Sequence, residues 1–330
     1  MAKSSSIRLD GKISLLSPLS HIGESHGPDS YLSESTIIGP EGKPVTCFTY
    51  SGNAFRGMLR DLGTEYLLEK IGNPMLPLDT FYMLFSGGAI GGDQSIDIDQ
   101  GRRYRQLLPL FSILGGGVGN QILQGKMNIG AMFPMVKECQ RVVPARYRQA
   151  DAPSWRHWTE ERSYTRTDDA KNENLRKHLQ IDAPHNQETL LLAGDIEPKQ
   201  EKKKDAPQQM RYTIEMLAAG SEMYQRIDLV DMSELELGAF VSALYKFSER
   251  PYIGGQNRIG CGLVEVEYEY HVDGEIKPFM TISEDRPRLS SLAANAKQSY
   301  DTFLQELYDK YLLANKTDLA QLIVGGAKSA

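Results

Sequence analysis

The chain has 330 residues, enough for one large domain with insertions or two modest ones. Hydrophobic residues make up 40% and charged residues 24%, the balance of a globular protein, and no run approaches the roughly 18 apolar residues of a membrane span. The net charge of −6 argues, as an average, against non-specific nucleic-acid binding, so a nucleic-acid partner would need positive charge gathered on one face.

The opening residues, MAKSSSIRLDGK, lack the apolar core of a signal peptide, so the expected location is the cytoplasm, with no membrane partner. Cys47, Cys139 and Cys261 form an odd, scattered set with neither a disulfide framework nor metal-ligand spacing. Each reads as a small buried hydrophobe, and no metal or cofactor is expected.

Six regular elements follow in chain order. Ile7, Leu9, Ile13 and Leu15 alternate with Arg8, Asp10, Lys12 and Ser14, which predicts a half-buried strand. Phe55, Met58, Leu59, Leu62, Tyr66 and Leu67 fall on one helical face, with Ser51 or Asn53 as cap. Lys126 to Phe133 reads as a second strand. Tyr212, Ile214 and Met216 alternate as a third. Ser233 and Glu236 have capping-box spacing and precede a helix with Leu237, Phe240, Leu244 and Phe247 on one side. Val264, Val266, Tyr268, Tyr270 and Val272 alternate with Glu265, Glu267, Glu269 and His271 in the last strand.

The order predicts an α+β protein with a ferredoxin-like (RRM-like) βαββαβ frame spanning 1–330 as one domain. Two long insertions interrupt it, at 72–123 and 136–207, and loops of that length are usually functional or small subdomains. The first is rich in glycine. The second is rich in arginine, holds both tryptophans and ends in an exposed turn at Lys199–Asp205. Residues 279–330 read as a C-terminal helical extension, with Tyr300, Phe303, Leu304, Leu307, Tyr308 and Tyr311 at helical spacing and a tail loosely held after Asn315.

Three features bear on chemistry. Ser51-Gly-Asn-Ala-Phe-Arg-Gly-Met-Leu-Arg opens a helix, whose free N–H groups favour an anion. Arg56 and Arg60 share a face there and could grip successive phosphates, or merely pair with Asp61 or Glu65. Ile253-Gly-Gly-Gln-Asn-Arg-Ile-Gly-Cys-Gly is a glycine loop that either lets a ligand approach or simply turns tightly. It fits neither a Walker loop nor a dinucleotide fingerprint. Arginines cluster at Arg102, Arg103 and Arg105, and again from Arg141 to Arg166, including Arg146 and Arg148 among aromatic residues, a composition suited to backbone tracking and base stacking. Surface ion pairing is the plainer reading of those arginines.

Catalytic signals are poor. His21 and His26 share a loop with Glu24 and Asp29, and read as exposed. Asp93, Asp97 and Asp99 resemble a divalent-ion loop without its glycine and bidentate glutamate.

Taken in order, three segments resemble the RAMP superfamily of CRISPR proteins. Leu16-Ser-Pro-Leu-Ser-His-Ile-Gly is similar to the end of its first strand, Ser51 to Arg60 to its first-helix motif, and Ile253 to Gly262 to its glycine-rich loop. The resemblance spans residues 7–272. Within the superfamily the chain looks like the backbone subunit, and the two glycine stretches in 72–123 look most like the type IV form. That resemblance implies a palm with fingers and thumb, copies self-associating into a helical filament along a guide RNA, and other effector subunits capping the guide ends. Target nucleic acid, DNA ahead of RNA, would be read by base pairing. By motif, Ser51, Asn53, Arg56 and Arg60 would hold phosphates, and Gly254, Gly255, Gln256, Asn257 and Arg258 would let the guide approach. Arg102, Arg103, Arg105, Arg146 and Arg148 in the insertions are further candidates. Type III relatives cut target RNA with an aspartate before the first helix. The surroundings of Asp29 do not match, so no catalytic residue is expected. The rivals are a guide-processing ribonuclease using His21 or His26, and a small-molecule enzyme holding a phosphate at the glycine loops.

Overall fold

The computed structural model describes residues 5–88, 98–118, 120–165, 211–272, 274–283, 286–313 and 319–324. In chain order the strands are β1 (Ser5–Leu15), β2 (Ile22–His26), β3 (Asp29–Leu32), β4 (Glu34–Ile38), β5 (Pro44–Phe48), β6 (Gly116–Val118), β7 (Gln121–Leu123), β8 (Met127–Ile129) and β9 (Phe133–Pro134). Next come β10 (Thr159–Thr165), β11 (Arg211–Leu217), β12 (Glu222–Met232), β13 (Val264–Val272), β14 (Glu275–Ile282) and β15 (Arg288–Leu289). The helices are α1 (Gly52–Lys70), α2 (Leu78–Ser86), α3 (Ile98–Leu107), α4 (Pro109–Leu114), α5 (Glu234–Ser248), α6 (Ser291–Leu307) and α7 (Leu319–Val324). The α+β class expected from the sequence holds.

Alternation makes β1 two-faced, with Ile7, Leu9, Ile13 and Leu15 buried on one side. It occupies the middle of a seven-stranded sheet, paired antiparallel with β12 on one side and β13 on the other. The sheet runs β15–β14–β13–β1–β12–β8, and β9 also pairs with β12. Helices α1 and α5 pack together over the apolar face. The Phe55 and Phe247 rings meet edge-on at 6.1 Å, and Phe240 of α5 reaches Phe279 of the sheet at 6.4 Å. Gly238 lets α6 come close, because a Cβ there would lie 2.2 Å from the Ala296 carbonyl oxygen.

Helix α5 begins as its sequence predicts. Ser233 and Glu236 form a reciprocal capping box. Glu236 also accepts from Ser112 Oγ at 2.6 Å and Lys126 Nζ at 2.8 Å. Burial pushes its carboxyl up, but the bonds from Lys126, Ser112 and Ser233 outweigh that and hold it below the usual carboxylate range.

Four expectations are corrected. The alternating segment Tyr212–Met216 does form a strand, β11, but in a separate four-stranded sheet ordered β10–β11–β3–β2. The position beside β1 belongs to β12, which follows a turn at Gly220 (φ 85°). Both segments alternate, and β12 has 11 residues against 7, so it offers β1 the longer ladder. Second, the stretch between β1 and α1 is not a loop but carries β2 to β5. Third, residues 279–330 do not begin as a helical extension. Phe279, Met280 and Ile282 are buried in β14, which adds to the sheet, and Pro278 sits at a register shift opposite Glu269. Fourth, Leu319 of α7 is buried in the core, so α7 is not loosely held there. The turn at Lys199–Asp205, Asp93, Asp97 and Arg166 lie outside the described residues.

A second contact ties the early strands to the following segment. Trp155 is buried and its Nε1 donates to the Thr46 carbonyl at 3.0 Å, while the thiols of Cys47 and Cys139 touch at 3.3 Å. No described helix is long and apolar enough to cross a membrane.

Candidate nucleic-acid interface

Three segments far apart in sequence meet at the N-terminus of α1. Ser51 caps the helix, its Oγ accepting from the Ala54 N–H at 3.4 Å. His21, from the turn after β1, accepts from the Ser51 N–H through Nε2 at 3.2 Å and lies on the Tyr50 ring at 4.4 Å. Tyr50 in turn accepts from the Gly254 N–H at 3.3 Å, which brings in the glycine loop. Burial lowers the His21 pKa below its ordinary 6.5 and raises that of Tyr50. At neutral pH the imidazole is uncharged and its Nε2 is free to accept.

The loop from Ile253 to Gly262 is stitched to the turn after β1. Gly255 N–H donates to Ser20 O at 2.7 Å, Gly262 N–H to Pro18 O at 2.8 Å, and Ile253 N–H to Gly262 O at 2.9 Å. These bonds demand glycine. Gly254 has φ 77° and Gly262 φ 86°, and a Cβ would lie 2.3 Å from Ser20 O and 1.9 Å from Ile253 O respectively. Gln256 takes the left-handed conformation (φ 61°) without being glycine. With its amide nitrogen turned inward, Asn257 donates to Gly254 O, Gly255 O and Cys261 O at 3.3, 3.1 and 3.2 Å. Cys261 is buried against Met216 at 3.8 Å, docking the loop onto the smaller sheet.

Between helix and loop lies an open cleft of about 350 Å³, lined by His21, Tyr50, Ala54, Met58, Asp61, Tyr252, Gly254 and Asn257. Asn53 is exposed at the helix start, and Arg258 is exposed on the loop with no ion pair or hydrogen bond among the described residues. Of the residues singled out from sequence, Gly254 and Asn257 line this cleft and Ser51 is bonded to His21 beside it, while Gln256 lines a second opening next to the small sheet.

The arginines behave differently. Arg56 and Arg60 do not lie on a solvated helix face. Arg56 donates to the Leu114 carbonyl and Arg60 to the Gly115 carbonyl at 3.0 Å, where α4 ends. Arg60 is only 7% exposed, lies against Gly87, and burial with the nearby Arg56 charge lowers its pKa to about 10. Arg105 donates to Gln124 O at 2.7 Å, and Arg102 pairs with Asp99 at 3.2 Å on the same helix as Arg103. Arg146 binds Asp10 at 3.0 Å and Glu269 at 2.9 Å and covers the Tyr147 ring at 4.5 Å. Arg148 bonds Val143 O at 2.9 Å. None of these arginines lines the cleft.

Asp10 is itself buried at the centre of that second cluster. It accepts from Arg8, Arg146, Tyr224 (2.7 Å) and His271 (2.6 Å). Burial raises its pKa, and the bonds from Tyr224, His271 and Arg8 outweigh it, leaving the carboxyl below its ordinary value. His26, by contrast, is exposed and pairs with Glu24 at 3.3 Å, as its loop-like composition suggests. Asp29 sits in the β2–β3 hairpin opposite His26. Among the described residues no group of His, Cys, Asp and Glu is arranged to hold a metal ion. Sequence reading missed His21, Tyr50 and Tyr252 as cleft residues. The available signal was Tyr50 beside the Ser51 cap.

No family model and no curated protein matches the sequence. Solved structures do. A chain of a Type IV-B CRISPR complex is similar with TM-score 0.53 at 18% identity, covering 87% of this chain and 96% of that one. The two chains share a fold. The match covers almost the whole length of the CRISPR-complex chain. Csc2 of Thermofilum pendens is also similar, with TM-score 0.39 at 12% identity, over 98% of this chain and 81% of that one.

Proposed function

We propose that the chain is the backbone subunit of a type IV-like CRISPR ribonucleoprotein, holding guide RNA as several copies side by side. The observation that carries this reading is the convergence of the turn after β1, the start of α1 and the glycine loop on one exposed cleft. The shared fold with a chain of a Type IV-B CRISPR complex supports it.

In this reading β1, α1, β8, β12, α5 and β13 are a ferredoxin-like palm. The sheet order β13–β1–β12–β8 and the two helices on one face support that assignment. The insertions 72–123 and 136–207 are fingers and thumb. The guide backbone lies along the α1 start, where helix N–H groups favour an anion, and beside the glycine loop, where absent side chains let it approach. Ser51, Asn53 and Gly254 to Arg258 make the contacts. Arg56 and Arg60 act from beneath, fixing α4 against α1. Such a subunit needs one receptive groove rather than a basic whole, which accommodates the net charge of −6. Target nucleic acid, DNA ahead of RNA, is read by the guide through base pairing, and other subunits cap the guide ends.

The subunit is a scaffold rather than a nuclease in this reading. The acceptor nitrogen of His21 is engaged by Ser51, and Asp29 pairs across a hairpin. The test is co-expression with a guide array, followed by absorbance at two wavelengths and sequencing of any bound RNA. A high-mass, RNA-rich species carrying repeat-derived guides is expected. An RNA-free monomer would overturn the reading. Asp29→Ala is expected to leave bound complementary RNA uncut, as the unaltered protein does.

A further inference from the structure

The cleft between α1 and the glycine loop is lined by aromatic side chains and holds one carboxylate. His21 lies on the Tyr50 ring at 4.4 Å, and Met58 and the half-buried Tyr252 add to the apolar lining. Ala54, Met58 and Asp61 follow helical spacing on α1, so they share one face and run along the cleft. From Ala54 to Asp61 the helix rises about 10 Å.

This lining does not suit a phosphate. Among the described residues no lysine or arginine lines the cleft, because Arg56 and Arg60 turn away to the carbonyls where α4 ends. Asp61 puts a negative charge there instead, and it has no ion pair or hydrogen bond among the described residues. Its side chain reaches solvent, yet the packing around it raises the carboxyl pKa above the ordinary 3.8, against the pull of the Arg60 charge. Ligand N–H groups arriving there would offset that desolvation. An ionised carboxylate only accepts, and its two oxygens suit a pair of parallel donors.

The two ends of the cleft call for opposite chemistry. Asp61 calls for N–H donors. At the other end Asn53 is exposed in the first turn of α1, where helix N–H groups lack partners within the helix and an anion is favoured. A simple cation suits one end and a simple anion the other. A nucleotide suits both, with its phosphate at the helix start and its base among the aromatic side chains. Of the four bases, guanine alone carries two adjacent donor groups, N1–H and the N2 amino group, on its pairing edge. Adenine, cytosine and uracil each set one donor beside an acceptor, which a carboxylate repels.

We propose that this cleft is a guanine-selective nucleotide site, in which Asp61 accepts from N1–H and the N2 amino group of a guanine lying among His21, Tyr50 and Tyr252. The inference rests on the RNA-binding reading above and adds a base preference which that reading does not contain. The same chemistry fits a guanosine within RNA and a free guanine nucleotide, and the experiment separates the two.

The full chain is mixed with end-labelled oligouridine carrying one central guanosine, inosine, adenosine or uridine, and binding is read by fluorescence anisotropy. Guanosine is expected to bind about tenfold tighter than adenosine or uridine, the discrimination of one bidentate pair. Inosine keeps N1–H but lacks the amino group, and should fall between. Asp61→Ala removes the acceptor and should bring the guanosine-to-uridine ratio close to one. Glu65→Ala removes the same charge one turn further along α1, outside the cleft, and should keep the ratio. Alanine favours the helix at both positions, so both variants fold. In parallel, guanosine and adenosine monophosphates are measured against the unaltered chain and Asp61→Ala by equilibrium dialysis. A guanosine preference in RNA that Asp61→Ala abolishes supports the proposal with RNA as the source. An even response to all four oligomers, with guanosine monophosphate held tighter than adenosine monophosphate by the unaltered chain alone, supports it with a free nucleotide as the source. No guanine preference in either arm, or one that survives Asp61→Ala, overturns it. Should no oligomer bind, the function reading fails, and the monophosphate arm decides the cleft by itself.

Discussion

His21 and Ser51 are joined by a hydrogen bond of 3.2 Å from the Ser51 backbone N–H to the imidazole Nε2. A side chain from the turn after β1 thus satisfies a donor at the entry to α1 that the helix leaves unpaired. The bond exists only while the ring is neutral.

The first prediction follows from that condition. Burial puts the folded pKa of His21 below 6.5, its value in the unfolded chain. Between the two values the unfolded state binds more protons, so stability is full above pH 6.5 and falls as pH drops toward the folded pKa. His21→Phe keeps an aromatic ring on Tyr50 but cannot titrate. Thermal melts across this range should show a smaller acid loss for the variant than for the unaltered chain.

Gly262 offers the second. Its φ of 86° and the 1.9 Å approach a Cβ would make to the Ile253 carbonyl leave no room for a side chain. Gly262→Ala should cost about 1–3 kcal/mol in urea unfolding, the range for a strained backbone position. It should also loosen the loop. Gly260, with φ 84° but open space around its Cβ, should cost less on the same substitution.

Arg258 gives the third. It is exposed and unpaired among the described residues, so Arg258→Gln removes no internal contact. RNA affinity should fall, and the slope of log affinity against log salt should shrink by about 0.7, one single-strand phosphate. The melting temperature should not move. Arg60→Gln should do the reverse, lowering the melting temperature by loss of its bond to Gly115 O.

The fourth concerns Glu236, whose carboxyl is held below its ordinary 4.5 by Lys126, Ser112 and Ser233. The stability it contributes is present above that value and lost as pH falls through the folded pKa. Glu236→Gln should lower stability at neutral pH and flatten the acid limb of the stability curve, measured by urea unfolding at several pH values.

Much of the central sheet was legible because its strands alternate cleanly. Val264 to Val272 and Ile7 to Leu15 put their apolar residues on one face with no interruption, and pairing in the structure follows that pattern. The choice between β11 and β12 was not legible. Both alternate, and what separates them is which ladder β1 accepts, a fact about partners more than 200 residues away, as the Tyr224–Asp10 separation of 214 shows. Arg60 illustrates a second limit. Spacing reveals that it shares a face with Arg56, but not that the end of α4 arrives from an insertion and supplies carbonyls to both. The cleft itself was half legible. Glycine density marked the loop and a cap marked the helix, whereas His21 looked like an exposed loop residue because nothing local reports Tyr50 above it.

The central place of β1 carries a consequence for biosynthesis. Asp10 is contacted by Tyr224 and His271, which lie 214 and 261 residues further along. The ribosome therefore emits the middle strand about 200 residues before either of its neighbours. Until residue 232 has left the exit tunnel β1 has neither neighbour, and its second side stays open until β13 follows at 264–272, so closure must wait on contacts of very long sequence separation. Nascent chains truncated before β13 should accordingly depend on chaperones, and codon choice in the last third of the message should influence soluble yield more than codon choice in the first.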